Sequence, residues 1–378
     1  MDILIVSNYL LYQDPSASFV HQQAVALSKY NNRVVVLVMT ALGKKDPFGR
    51  KQLKHAYHAK LDGIEIVPIR YLSLSKFGKN TFNRKSVVAA VHNITSILPS
   101  DFKPQIIHAH ALTTSSDVGA YLSKVFSCPL VVTTHGSDTA VPMATGGIDL
   151  LRSRADKADI IVGVSKQLSS LLASCGTKTE IKTIHNGFVP HKLEAPVEKD
   201  PYSIIQVGHL IESKRNEVTI RAFARLKKDY PQLKLTIIGV GRLRDKLEEL
   251  CRELGVTESV TFTGQLPNRE VFEKMSRASY FVMASKPEGF GIVYLEAMAA
   301  GCVTIGTVGQ GIADIINSGE NGFLVEADDV DAVVSVLDNC IKSPTLRDRI
   351  SQCGKRTALD LDWAVNARKN IELYKSIL

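Results

Sequence analysis

Pro287-Glu288-Gly289-Phe290-Gly291-Ile292-Val293-Tyr294-Leu295-Glu296-Ala297-Met298-Ala299-Ala300-Gly301 is the most informative stretch of this sequence. It follows the apolar run SYFVMA at 279–284, which reads as a buried strand, and passes through two glycines into a helix-forming run. Strand, glycine turn and helix in that order make an anion site, because free amide N–H groups and the positive end of the helix dipole suit a phosphate. Glu288 stands before the helix and Glu296 within it. If all eight intervening steps were helical, their α-carbons would lie ~12 Å apart along the axis. A glycoside hydrolase holds its two carboxyl groups about 5–9.5 Å apart. The pair therefore reads as two ligand contacts and not as an acid/base couple.

Outward from this stretch, short β-branched runs alternate with amphipathic ones along the whole chain, the pattern of parallel sheets with crossover helices. The first half predicts strands at 2–7, 33–39, 64–69, 105–109, 129–134, 159–164 and 180–185, with helices at 19–30, 86–97, 115–126, 148–157 and 165–174. The run VPHKLEAPVEKDP at 189–201 has three prolines and mixed charge, and it breaks the alternation as a linker does. Strands then recur at 203–207, 233–239, 259–263, 279–284, 302–306 and 323–325. The expected architecture is α/β, with two Rossmann-like parallel-sheet domains facing a central cleft: 1–190, a linker at 191–200, 201–360, and a C-terminal helix at 361–378. Ligands of such sheets bind beyond the carboxyl ends of the strands.

The 378 residues are 45% hydrophobic and 22% charged, enough for two substantial cores. No basic n-region precedes the apolar run in MDILIVSNYL, so it reads as a first strand and not a signal peptide. No run approaches the roughly 18 apolar residues of a membrane span, and the expected location is the cytoplasm. The six cysteines form no CxxC pair and lack histidines at zinc-site spacing, so buried thiols are expected rather than disulfides or a structural metal. The net charge of +8 is uneven: residues 1–195 carry +9 and residues 196–378 carry −1. From Lys44 to Lys85, eleven basic residues meet only Asp46, Asp62 and Glu65. This basic region, 44–85, is a candidate surface for anionic lipid head groups, at about 1 kcal/mol per basic side chain. A solvated loop face accounts for it equally well. Nucleic acid is not expected, because reader motifs and interleaved stacking aromatics are lacking.

The segment EGFGIVYLE matches the E-x7-E signature of the family 4 retaining glycosyltransferases of the GT-B fold, in the family's P-E-G-F-G…E-A-M-A-x-G context. Gly301-Cys302-Val303-Thr304-Ile305-Gly306 and Glu320-Asn321-Gly322-Phe323-Leu324-Val325 follow at the family's distances. Val207-Gly208-His209-Leu210-Ile211-Glu212-Ser213-Lys214-Arg215 resembles the family's V-G-R-L…K-G segment, with His209 where Arg is usual. Gly239-Val240-Gly241-Arg242 fits the donor-domain I-x-G-x-G turn, and Thr263-Gly264-Gln265-Leu266 fits a strand end that meets the base. In the first half, Thr133-Thr134-His135-Gly136-Ser137-Asp138 resembles the family's H-G/D-x motif. Asn186-Gly187 matches a structural turn, and Ser165 reads as a helix N-cap.

The resemblance covers nearly the whole chain, most strongly from about 200 to 326. It implies transfer of a hexose-type sugar from a nucleoside-diphosphate donor to an acceptor hydroxyl with retained anomeric configuration. It implies no cofactor and no metal, since protein cations hold the diphosphate. His135, Lys214 and Glu288 are the implied catalytic residues. Donor binding falls to Gly208, His209, Arg215, Gly239, Gly241, Arg242, Gly264, Gln265, Leu266, Gly289, Phe290, Gly291, Ile292 and Glu296. Lys214 would hold the departing diphosphate, Glu288 the donor sugar and Glu296 the ribose, with Arg215 or Arg242 supplementing a neutral His209. Residues 13–22, QDPSASFVHQ, depart from the family's paired glycines and make His21 a candidate for the acceptor side or the phosphate. The expected partners are a nucleotide-sugar and a glycan or lipid-linked acceptor in bacterial surface polysaccharide or glycolipid synthesis, with peripheral attachment at the inner face of the membrane through 44–85. The alternative reading is a catalytically weak sugar-nucleotide-binding subunit of a polysaccharide assembly complex.

Overall fold

The computed structural model describes residues 1–8, 19–42, 59–72, 89–92, 94–189 and 197–378. The contacts divide the chain into two compact units, one of Met1–Gly187 with Trp363–Leu378 and one of Phe188–Asp362. The linker expected at 191–200 falls mostly outside the described residues, as does most of the basic region 44–85.

The strands of the first unit are β1 (Asp2–Ser7), β2 (Arg33–Leu42), β3 (Ala59–Leu61), β4 (Ile64–Leu72), β5 (Ile106–His110), β6 (Leu130–Thr134), β7 (Ile160–Gly163) and β8 (Glu180–Thr183). They form one sheet in the order β3-β4-β2-β1-β5-β6-β7-β8. Every pairing is parallel except β3 with β4. Parallel strands are covered on both faces, which is why they read as unbroken apolar runs: Ile3, Leu4, Ile5 and Val6 are wholly buried. The short strand β3 was not foreseen from the alternation. Its cue was the Asp62-Gly63 dipeptide, whose φ angles of 48° and 83° have the two positive values of a type I′ hairpin turn.

The second unit holds β9 (Asp200–Val207), β10 (Lys234–Ile238), β11 (Val260–Gly264), β12 (Ala278–Val282), β13 (Val303–Thr307) and β14 (Phe323–Val325). All pair in parallel, in the order β11-β10-β9-β12-β13-β14. Counted from β9, this is the doubly wound order 3-2-1-4-5-6, with its switch point between β9 and β12. The helix at Asn216–Leu226 shows why such segments cover a sheet: Val218, Ile220, Ala222, Phe223 and Leu226 are buried on it, while its charged residues lie outside that set.

Helices expected at 19–30, 115–126, 148–157 and 165–174 are present at Phe19–Ser28, Thr114–Phe126, Ile148–Ala155 and Lys166–Ala173. Ser165 caps the last of these, accepting from the Leu168 N–H at 3.2 Å. Within 86–97, helical turns appear at 89–91 and Ile94–Ile97. A further helix at Ser137–Ala144 follows the histidine motif and was not anticipated. Its Pro142 argues against helix locally. The C-terminal helix Trp363–Lys375 packs on Phe19–Ser28 through a polar seam: Trp363 Nε1 donates to Gln22, Gln23 donates to Asn366, and Asn366 donates to the His185 carbonyl.

A buried ion pair ties two helices of the first unit together. Arg154 donates through Nε and Nη2 to Asp117 at 3.0 and 2.8 Å and through Nη1 to the Leu112 carbonyl, with Lys157 at 3.4 Å from the same carboxylate. Removing one partner of such a pair leaves the other charge buried and uncompensated, a loss of about 3–5 kcal/mol. Asp117→Ala is expected to lose stability on that scale in urea unfolding. A loss no larger than that of an exposed carboxylate, such as Asp149→Ala, would show that the pair is not structural.

Candidate functional site

In the second unit, the loops that leave β9 and β12 at the switch point carry the two charged residues singled out from the sequence. After β9 the chain runs through Gly208 and an exposed His209 into a single 3₁₀ turn at Glu212–Lys214. The buried Gln206 holds this turn by donating to the Lys214 carbonyl at 3.0 Å, and Lys286 N–H donates to the Ser213 carbonyl at 2.7 Å. After β12 the chain reaches Glu288. Lys214 Nζ and the Glu288 carboxylate form an ion pair, with their side chains only 19% and 13% exposed. Ser285 Oγ donates to the same carboxylate oxygen at 3.1 Å, and the Glu288 N–H donates to Gln310 Oε1 at 2.8 Å. Tyr294 completes the support by donating to the Met283 carbonyl at 2.6 Å, with Ser285 Oγ 3.2 Å from its hydroxyl.

The helix begins only at Ile292, behind Gly291 at φ 77°. A Cβ on Gly291 would lie 2.6 Å from the Tyr294 ring, so both backbone angle and space require glycine there. The all-helical spacing assumed for Glu288 and Glu296 is corrected accordingly, since residues 288–291 are not helical. Gly289 is partly buried, Phe290 is buried, and Ile292 opens the helix. Glu296, one turn further on, is partly buried, and no described residue hydrogen-bonds to its carboxylate. Burial pushes that carboxyl up to about 7.

The Gly239/Gly241 pair has a packing reason. Cβ atoms there would lie 1.9 Å from the Gly208 carbonyl oxygen and 2.3 Å from that of Leu210. Close approach lets Gly208 N–H bond Ile238, Leu210 N–H bond Val240, and Gly239 N–H bond Gly264, joining three strand ends into one surface. On it, Gln265 is exposed and Leu266 partly so. Arg215 and Arg242 are each engaged by a carboxylate: Arg215 by Asp328 at 2.8 Å, Arg242 by Glu212.

In the first unit, His135 follows β6, and its imidazole Nε2 lies 3.0 Å from His110 Nδ1 at the end of the neighbouring β5. The two rings are nearly parallel, at 14°. His108, two residues back on the same face of β5, stacks on His110 with centroids 4.7 Å apart and meets Thr133 at 2.7 Å and Tyr374 of the C-terminal helix at 2.6 Å. Burial keeps these imidazoles neutral: His108 and His135 are pulled down to about 3, and His110 lies well below its ordinary value. Asp138 clamps both loops, accepting from the N–H groups of His135, Gly136 and Leu112 at 3.0, 2.9 and 2.9 Å. Its carboxyl pKa is raised by burial despite these donors. His21 is 2% exposed and places Nε2 2.8 Å from Asp62 in the β3–β4 turn, so the structure gives it a partner within the fold.

Sequence reasoning missed Ser285, Gln310, Asp138 as a clamp, and His110. Gln310 and Ser285 carry no local signal, since each acts on a residue from another loop position. His110 had one: His108-Ala109-His110 places two histidines on one face of a strand.

The family described as Glycosyltransferase Family 4 matches residues 16–192, and that described as Glycosyl transferases group 1 matches residues 191–357. The chain is 30% identical over 301 residues to an uncharacterized glycosyltransferase of Methanocaldococcus jannaschii, covering 72% of this chain and 75% of that protein. It is 26% identical over 264 residues to the GDP-mannose-dependent alpha-(1-6)-phosphatidylinositol monomannoside mannosyltransferase of Mycolicibacterium smegmatis, covering 65% of this chain and 69% of that one. The crystal structure of Anabaena HepE in complex with UDP superimposes over 100% of both chains with a TM-score of 0.77 at 17% identity, a likeness of fold.

The perturbed Glu296 has a consequence for stability. Its carboxyl stays protonated in the folded chain up to about 7, against an ordinary 4.5. The folded state therefore binds more protons in that window, and stability falls as pH rises through it. Glu296→Gln, which cannot ionise, is expected to flatten the decline in melting temperature from about pH 5 to about pH 8. Parallel curves for the two proteins would show that Glu296 is ionised throughout.

Proposed function

This chain belongs to glycosyltransferase family 4, has the GT-B fold and is a glycosyltransferase; from that premise and its site we propose that it transfers a sugar, with retention, from a nucleoside-diphosphate donor to a lipid-linked acceptor. The observation that carries this reading is the Lys214–Glu288 pair beside the helix that Gly291 opens. A diphosphate gains negative charge as the glycosidic bond breaks, and a prepositioned ammonium with helix-start amides stabilises that charge where it develops. Without donor, Lys214 and Glu288 neutralise one another. With donor, the diphosphate takes the lysine and the sugar hydroxyls take the carboxylate. Glu296 faces the ribose, where an unpaired and partly buried carboxyl gains two hydroxyl partners. His135 meets the donor sugar.

The chemical step follows from these placements. The bond from the anomeric carbon to the diphosphate oxygen breaks, and the acceptor oxygen bonds the same face of that carbon. The acceptor proton passes to the departing phosphate oxygen, so no side chain need act as nucleophile. Lys214 supplies the cation for the diphosphate, and the reaction is proposed to need no metal. His209 adds hydrogen bonding more than charge. The named relatives take or hold different nucleotides, GDP-mannose in one and UDP in another, so the base is set by screening. A lipid-linked acceptor is supported by the phosphatidylinositol mannoside substrate in one relative's name and by the basic excess of residues 1–195. No described helix is long and apolar enough to cross a membrane, and the proposed attachment is peripheral.

Purified protein is screened with UDP-, GDP- and ADP-sugars and lipid-linked acceptors, following nucleoside-diphosphate release with and without EDTA, with the product anomer read by NMR. Release is expected with one donor class, unchanged by EDTA, and lowered about 10²–10³-fold in kcat by Lys214→Ala. Inversion at the anomeric carbon, or loss of activity in EDTA restored by a divalent cation, overturns the corresponding part of the mechanism. Flotation with phosphatidylglycerol vesicles but not neutral ones is the expected result for membrane attachment; equal recovery from both removes the basic region from the proposal.

A further inference from the structure

Glu288 lies in the stretch 283–291, which runs from β12 to the following helix outside any helix or strand, so neither a ladder nor a helical turn fixes its backbone. Both of its main-chain groups are bonded all the same, and both by the loop that leaves β13. The Glu288 N–H donates to Gln310 Oε1 at 2.8 Å, and the Gly311 N–H donates to the Glu288 carbonyl at 3.2 Å. The two loops meet backbone to backbone: a Cβ on Gly311 would lie 2.1 Å from the Gly289 carbonyl oxygen and 2.6 Å from the Phe290 Cα. Gln310 is itself held in place. It is 6% exposed, its Nε2 donates to the Gly309 carbonyl at 3.0 Å, and its own carbonyl accepts from the Ala313 N–H at 2.8 Å. These partners settle the orientation of its amide, because a main-chain N–H can meet only the oxygen and a carbonyl only the nitrogen. The side chain that leaves this clamped backbone is the one that meets Lys214 and Ser285. Gln206, on β9, does for the lysine turn what Gln310 does for Glu288.

We propose that Gln310 is a positioning residue of the donor-sugar subsite: acting through Glu288, it sets where that carboxylate stands for the sugar hydroxyls and leaves the contacts of the nucleotide alone. The inference rests on Glu288 meeting the donor sugar, as in the reading above. It adds a residue that acts from the loop of a neighbouring strand. A group displaced by about 1 Å from the atoms it must meet can lose up to about 10²-fold in rate. Lys214, Glu296 and the ends of β10 and β11 meet the nucleotide in that reading, and none of them bonds the Gln310 side chain among the described contacts.

A double-mutant cycle tests this, with calorimetric titration of UDP-glucose and GDP-mannose set against UDP and GDP, and with kcat/KM for whichever donor turns over. Gln310→Met keeps the length of the side chain and removes the acceptor. It is expected to weaken sugar-nucleotide binding and to lower kcat/KM about 10- to 100-fold, with affinity for the bare nucleoside diphosphate unchanged. In the Glu288→Ala background the same substitution is expected to cost little more, because its effect passes through the missing carboxylate. Gln310→Glu is expected to keep most of the wild-type rate, since a carboxyl buried beside Glu288 stays protonated and offers the same acceptor and donor. If Gln310→Met does not fold, Gln310→Asn, one methylene shorter, takes its place in the cycle with the same outcomes. Equal losses with and without the Glu288 carboxylate, an equal loss of bare diphosphate binding, or a Gln310→Glu protein as impaired as Gln310→Met each overturn the inference alone. A Glu288→Ala protein that binds and turns over donor as the wild type does overturns the sugar contact of Glu288 and the inference with it. A wild type that binds none of the four nucleotides overturns the functional reading itself.

Discussion

The reversal of strand order between β9 and β12 is the constraint on which the candidate site of the second unit depends. These strands are hydrogen-bonded neighbours, yet the chain leaves β9 toward β10 on one side and returns from β11 to enter β12 on the other. Adjacent parallel strands whose connections part in this way leave open the space beyond their carboxyl ends. Lys214 and Glu288 are 74 residues apart in sequence and meet there because each lies just past one of these two strands. The remaining contacts serve that meeting: Gln206 fixes the lysine turn, Ser285 and Gln310 fix the glutamate, and Gly291 aims a helix start beside them.

Strand adjacency does the same work in the first unit with different chemistry. There β5 and β6 pair in parallel, so the residues that end them, His110 and His135, are neighbours, and the period of two along β5 adds His108 beneath. Burial keeps these rings neutral, so what the cluster offers is hydrogen bonding instead of charge. Tyr374 reaches it from the end of the chain, which makes the C-terminal helix part of the support of this cluster as well as of the Phe19–Ser28 helix. The candidate site of the second unit, by contrast, holds formal charge, pairing a lysine and a glutamate that are mostly but not wholly buried.

Both sheets were legible because parallel strands, buried on two faces, are mostly apolar, and each run of that kind appears as a strand within a few residues of its expected place. The helix positions followed from the same alternation, and the Ser165 cap from residue chemistry. The strand β3 was overlooked because three residues are too few to show a period, although Asp62-Gly63 announced its turn. The Ser137–Ala144 helix was overlooked because Pro142 sits inside it. For the site, E-x7-E stood out as local sequence. Asp138 and Gln310 did not, since each acts by bonding across to a different strand end, and His110 showed only as the second histidine on one face of β5.

What the sequence determined by itself was the class of fold and the local chemistry of each strand end: where glycine must sit, where a helix starts, and which charged residue follows which strand. These depend on interactions between near neighbours along the chain. Tertiary structure alone decided which strand ends lie side by side, and hence that Lys214 faces Glu288, that Gly239 and Gly241 serve backbone packing, that Glu296 is held neutral to about 7, and that His110 faces His135. Pairing, burial and the pKa values that follow from burial are properties of strand order, which links residues too distant in sequence for any local pattern to record.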